Sequence, residues 1–104
     1  MKRWVTALLL MPAVPLPAAE IAPELWDRPR SAQAVMAAPA VRQAVAAFQQ
    51  DDKARIVIVH GMRPESQAQA EELRAWLVAL AIDGRRVQLR ADQAATAVGL
   101  EIIR

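Results

Sequence analysis

Four consecutive β-branched residues, Ile56-Val57-Ile58-Val59, form the run with the strongest strand preference in the chain. A strand with one wet face alternates apolar and polar positions, whereas an unbroken run requires burial on both faces. This run is therefore the centre of a sheet, with helices on one face or both. Gly61 and Pro64 follow and end the strand in a loop. From Ser66 the period changes. Ala70, Leu73, Leu77 and Leu80 fall on one face with Trp76 beside them, which predicts an amphipathic helix over 66–81. Ser66 and Gln69 match a capping box, and Glu71 and Glu72 lie near the positive end of the helix dipole. Asp83-Gly84 marks a turn. Arg86-Val87-Gln88-Leu89-Arg90 then alternates, a strand with Val87 and Leu89 turned inward and its polar side chains in water. Residues 91–98 read as a loop or a single helical turn, and Gly99 to Arg104, with Leu100, Ile102 and Ile103, as a last strand.

Upstream, Ser31 is suited to cap a helix. That helix meets Pro39, which either kinks one long helix or opens a second as its first residue. In the second part Val41, Val45 and Phe48 form an apolar stripe with Arg42, Gln43 and Gln49 off it, and Gln50 to Lys53 are the polar turn that ends it. Residues 20–30 are a separate proline-containing segment, in which Pro23 and Pro29 push Ala22 and Arg28 toward extended backbone. The order helix, strand, helix, strand, strand predicts one small α/β (α+β) domain over 31–104. It is a two-layer sandwich whose mixed sheet is built on a right-handed parallel βαβ unit, with the last two strands antiparallel.

The first nineteen residues obey a different pattern. Lys2 and Arg3 precede the apolar stretch Trp4 to Val14, and Leu16-Pro17-Ala18-Ala19 supplies small residues, the three-part order of a secretory signal peptide. The apolar run, interrupted by Pro12, is far shorter than the roughly 20 residues of a membrane helix, so no stable span is expected once the leader is removed. Cleavage is placed after Ala18 or Ala19, and the product is periplasmic or secreted. The chain has no cysteine, hence no residue for a lipid anchor and no disulfide, and its core alone must hold it together. Loss of Lys2 and Arg3 takes the thirteen basic residues to eleven, equal to the eleven acidic ones. A neutral chain without a basic, aromatic-interleaved stripe gives no support to nucleic-acid binding.

Groups able to carry chemistry are few. His60 is the only histidine and stands at the C-terminal end of the central strand, where α/β folds place ligands. Ser66 could act with it as a nucleophile, and Asp83 or Asp92 could complete a triad, but no local spacing fixes such an arrangement and capping already accounts for Ser66. One histidine without cysteine does not make a typical zinc site, and Gly61, Gly84 and Gly99 are too far apart for a phosphate loop. Neither a cofactor, a metal nor an enzymatic activity is expected. Arg85, Arg86 and Arg90 cluster locally and read as a solvated strand edge whose charges discourage edge-to-edge pairing. Leu25-Trp26-Asp27-Arg28-Pro29-Arg30 contains Trp and Arg, residue types enriched in binding hot spots. Leu25, Trp26, Arg28 and Arg30 are thus candidate docking residues, the other reading being that Trp26 lies over one edge of the core.

Taken together, Val41 to Leu89 comprise a helix, an apolar strand ending in Val59-His60-Gly61, and a helix carrying Arg74-Ala75 before an aliphatic run. This resembles the OmpA-like peptidoglycan-associated domain, with Val-His-Gly near that family's Gly-His-Thr-Asp and Arg74-Ala75 where it has its helix Arg-Ala. The resemblance implies peptidoglycan binding, in which a loop Asp and the helix Arg grip the diaminopimelate of the stem peptide, chemistry that suits a bidentate guanidinium. Here the Asp position holds Arg63 or Pro64, and the family's asparagine-containing loop is missing. Residues and resemblance together give His60, Arg63 and Arg74 as candidate ligand-binding residues. The expected function is that of a small exported, non-enzymatic envelope protein that binds a protein partner or peptidoglycan. A minimal hydrolase using Ser66 and His60 is the alternative.

Overall fold

The computed structural model describes residues 18–104. Apart from Ala18 and Ala19, the leader assigned above lies outside the described residues. The sheet has four strands, β1 (Ala19–Glu20), β2 (Arg55–His60), β3 (Val87–Ala91) and β4 (Gly99–Ile103), in the order β1-β4-β2-β3. Three helices, α1 (Ala32–Ala37), α2 (Pro39–Gln50) and α3 (Pro64–Ala79), complete a two-layer α+β fold, with short 3-10 turns at Pro23–Asp27 and Gly84–Arg86.

The apolar run 56–59 is the centre of the sheet, as expected. β2 runs parallel to β3 from Ile56↔Val87 to His60↔Ala91, and antiparallel to β4 from Arg55↔Ile103 to Val59↔Gly99. The expected pairing of the last two strands does not occur. After β3 the chain turns at the top of the sheet, where Asp92 N–H donates to the His60 carbonyl at 2.8 Å. It then crosses the end of β2 and returns on the other side. Gly61 permits this crossing, since a Cβ there would lie 2.9 Å from the Ala95 carbonyl oxygen. β1, which the sequence pattern does not foretell, pairs antiparallel with the outer edge of β4 through Ala19↔Leu100 and Glu20↔Gly99.

Side-chain alternation gives β2 two different environments. Ile56 and Ile58 face the helices and share the core with Val41, Val45 and Phe48 of α2, Leu73 and Leu77 of α3, and Val35 of α1. Val57 and Val59 face the opposite side, where no helix of the described residues lies, yet Val57 is 0 % exposed and Val59 4 %. Arg90 on β3 and Glu101 on β4 flank β2 at the registers of Val59 and Val57, and their side chains meet at 2.9 Å. Two strand spacings separate β3 from β4, so the pair must lean inward over the valines. Among the described residues, this ion pair and its aliphatic stems lie over the face.

Helix ends follow local chemistry with one exception. The Ser31 hydroxyl accepts from Ala34 N–H at 3.1 Å and caps α1, and Pro39 opens α2 as its first residue. Ser66, however, does not cap α3. Pro64 is the first residue of that helix and Arg63 occupies the cap position without a side-chain bond, which places Ser66 inside the first turn. The C-terminus of α3 closes with two bonds, Ala81 N–H to Val78 O at 3.0 Å and Ile82 N–H to Leu77 O at 3.0 Å. This is the Schellman arrangement, with Ala81 at φ 74 in the place glycine normally takes.

Candidate functional site

The C-terminal end of β2 carries a cleft of about 240 Å³, bounded by the first turn of α3, the 3-10 turn Pro23–Asp27 and the strand lead-in at residues 96–98. Ile21, Pro23, Trp26 and Val98 form its apolar wall, while Asp27, Arg63, Glu65, Ser66, Gln69 and Thr96 supply polar groups. Two stretches that sequence reasoning singled out separately, the Trp26 segment and the loop after β2, thus meet across one depression.

Each wall is held for a definable reason. Ile21 is buried and its N–H donates to Val98 O at 2.8 Å, tying the N-terminal segment to the lead-in of β4. Arg30 then fastens the 3-10 turn to α3. Its Nε and one terminal nitrogen reach the two carboxylate oxygens of Glu72 at 2.8 and 2.9 Å, and the other donates to Trp26 O at 3.0 Å and Arg28 O at 2.8 Å. The Arg30 guanidinium also sits 5.7 Å from the centroid of the Trp26 ring. Glu72, which in addition accepts from Trp76 Nε1 at 3.1 Å, is held below the usual carboxylate range chiefly by the Arg30 hydrogen bond. The loop on the other side is braced by the Ser66 hydroxyl, which accepts from Gly61 N–H at 2.8 Å.

The candidate residues separate into two groups on this geometry. Arg63 is at the cleft mouth with a side chain 82 % exposed, joined only to Glu65 at 3.4 Å. Trp26 lines the cleft and, partly buried, packs against the edge of the core, as the second reading of that residue has it. Arg28 is exposed and lines a different hollow, between the 3-10 turn and the start of α2. Leu25 corrects the docking assignment, because it is 7 % exposed and belongs to the core. Arg30 corrects it too, since its donors are taken up within the fold.

His60 and Arg74 do not line the cleft. His60 is buried, and its Nδ1 lies 2.8 Å from the Gly61 carbonyl oxygen, to which it donates because a carbonyl only accepts. The Arg74 guanidinium donates to Gly84 O at 2.8 Å and Val87 O at 3.4 Å, stitching α3 to the start of β3, and it is not aimed at the loop after β2. No ion pair joins it to Glu71, one turn earlier on α3; its described bonds go to backbone carbonyls instead. Among the hydrogen bonds of the described residues, none joins the side chains of the hydrolase candidates Ser66, His60, Asp83 and Asp92 to one another. Asp83 accepts from Arg85 and Asp92 from Ala94 N–H, and the one bond described for Ser66 Oγ is to Gly61.

Of the basic group, Arg85 and Arg90 are exposed on or beside the edge strand β3, as a solvated strand edge requires, and Arg86 alone is drawn inward. Arg85 pairs with Asp83 at 3.0 Å, Arg90 with Glu101 at 2.9 Å, and Arg86 donates to Ala54 O and Asp51 O at 3.0 Å while stacking 3.9 Å from the Phe48 ring centroid. Among the described residues no group of three His, Cys, Asp or Glu side chains could hold a metal, and no helix is long and apolar enough to cross a membrane. Pattern analysis missed Asp27, Glu65, Gln69 and Thr96 at the cleft, since only the long crossover after β3 and the position of β1 bring them together. No protein-family model, no curated protein and no solved structure matches the chain.

Proposed function

We propose that this chain is a small exported protein of the bacterial envelope that works by binding, without catalysis, and that the cleft between Trp26 and Arg63 is where it holds its partner. The observation that carries the reading is the meeting of these two residues across one depression of mixed character. Its volume of about 240 Å³ falls below the roughly 300–1,000 Å³ of pockets that engulf small molecules. A site of that size suits one or two projecting side chains of a protein or a cell-wall peptide. Trp26 offers an apolar anchor, Arg63 and Glu65 offer charges of both signs, and Met62, 63 % exposed at the loop tip, adds apolar surface beside the mouth.

The test is a photo-crosslinking amino acid placed at position 63 and, as a control, at exposed Arg42 on α2, with the export leader intact. The reading expects an adduct of defined mass from position 63 that is absent from position 42 and is lost on Trp26→Ala. Binding to purified sacculi, compared between wild type and Arg63→Ala, separates a cell-wall from a protein partner. Equal labelling at both positions, together with no sacculus binding, overturns the proposal.

A further inference from the structure

We infer that the leader is removed at the bond between Ala18 and Ala19, and that this bond is accessible only before β1 docks on the sheet, so that processing precedes folding. The inference rests on the exported reading above and adds which bond is cut and when. Ala19 is the first residue of β1 and pairs with Leu100, and Glu20 pairs with Gly99. Ile21 follows as one of the most deeply buried side chains, 1 % exposed, with its N–H on Val98 O. Three successive residues after the proposed cut are therefore committed to the fold.

The approach on the other side is equally close. A Cβ on Gly99 would stand 3.0 Å from the Ala18 Cβ and 3.2 Å from the Ala19 carbonyl oxygen. With any other residue at 99, the backbone around the junction would have to give by a few tenths of an ångström. An endopeptidase binds its substrate as an extended strand in its own cleft and needs the backbone on both sides of the scissile bond. In the folded protein the backbone after the proposed cut is held by β4, and Ala18 just before it lies close against Gly99. A cut one residue later, after Ala19, would remove half of β1 and the Ala19–Leu100 pair, whereas a cut after Ala18 leaves the strand whole.

The experiment compares the full-length precursor, folded in mild detergent, with the same precursor in urea at a concentration the enzyme tolerates, both treated with purified signal peptidase. The folded precursor is expected to be cut about tenfold to a hundredfold more slowly, because cleavage waits for β1 to open. Intact mass of the product is expected to show Ala19 as the new N-terminus. Ile21→Ser, which weakens the anchor of β1, is expected to restore much of the rate while the remaining sheet signal in circular dichroism is kept. If that variant does not fold, Gly99→Ala serves the same purpose by pushing β1 off the sheet. Equal rates for folded and unfolded precursor overturn the order of events, and a product beginning at Glu20 overturns the bond. An unfolded precursor that is not cut at all removes the exported reading itself, and this inference with it.

Discussion

Replacing Glu101 by alanine tests how the helix-free face of the sheet is protected. The ion pair with Arg90 is half exposed on the arginine side, and an exposed pair of this kind contributes about 0–1 kcal/mol by charge alone. Its larger role is to cover Val57 and Val59. Full burial of a valine, the smallest of the large apolar side chains, contributes about 1.5–2 kcal/mol, so uncovering a third to a half of two such side chains costs roughly 1–2 kcal/mol. The expected total for Glu101→Ala is about 1–3 kcal/mol, against a stability on the order of 5–10 kcal/mol for a domain of this size. The melting temperature should fall by roughly 5–15 °C. Urea unfolding followed by circular dichroism, at 0.1 M and 1 M NaCl, distinguishes cover from charge. The screening length shrinks from about 10 Å to about 3 Å between those conditions, so a Coulombic loss would fade while a loss of cover would persist. Glu101→Met keeps a long stem without charge and should recover most of the lost stability. If Glu101→Met is as unstable as Glu101→Ala, and the defect disappears in 1 M salt, the reasoning about cover is wrong.

Three further predictions concern other parts of the fold. Arg86→Lys keeps the charge but loses the fork that reaches Asp51 O and Ala54 O and the flat contact with Phe48; it should cost about 1–3 kcal/mol in urea unfolding, and a loss below 0.5 kcal/mol would deny those contacts their role. Ala81→Gly should stabilise by about 0.5–1 kcal/mol in thermal melts by relieving the left-handed backbone at the end of α3, and an unchanged or lowered melting temperature would show that Ala81 is not strained. Glu72 is held below the usual carboxylate range by Arg30, Asp51 chiefly by Lys53 N–H and then by Arg104, and Asp83 chiefly by Arg85. Carboxylates with folded values below their unfolded ones contribute stability that is fully present above the unfolded range, near pH 4–5, and lost as pH falls through the folded values. The urea midpoint should therefore drop below about pH 5, and Glu72→Gln should flatten part of that drop; an identical acid slope in the variant would contradict the Arg30–Glu72 linkage.

What the sequence discloses and what it withholds divide along local and non-local lines. The β-branched run 56–59, the stripe Val41-Val45-Phe48 and the turn at Asp83-Gly84 are legible because burial and turn chemistry act within a few residues, and each occupies its expected place. The strand order is not legible. Whether the chain after β3 returns beside it or crosses β2 is decided by a close backbone approach at Gly61, and a glycine in sequence does not announce its neighbour. Ser66 shows the limit of local pattern matching, since Pro64 takes the first helical position and moves the start of α3 two residues earlier. At the site, Trp26 and Arg63 were identifiable by residue type, but their meeting depends on strand pairing that is long in sequence. Arg30, Arg74 and Arg86 look alike as exposed cations on paper, and each spends its donors inside the fold on carbonyls or a carboxylate that only tertiary structure supplies.

The position of β4 between β1 and β2 has a consequence for the order of assembly. The middle of the sheet is made by joining the hundredth residue both to the nineteenth and to the fifty-eighth. Closing such distant pairs is entropically slow, and a chain emerging from a ribosome has no strand to place beside β2 on that side until residues 99–103 are free. During synthesis the edge of β2 that β4 will cover therefore remains unpaired, and Val57 and Val59 lack the cover that Glu101 brings. This sheet cannot close early: its central pairing waits for the last strand of the chain to be made.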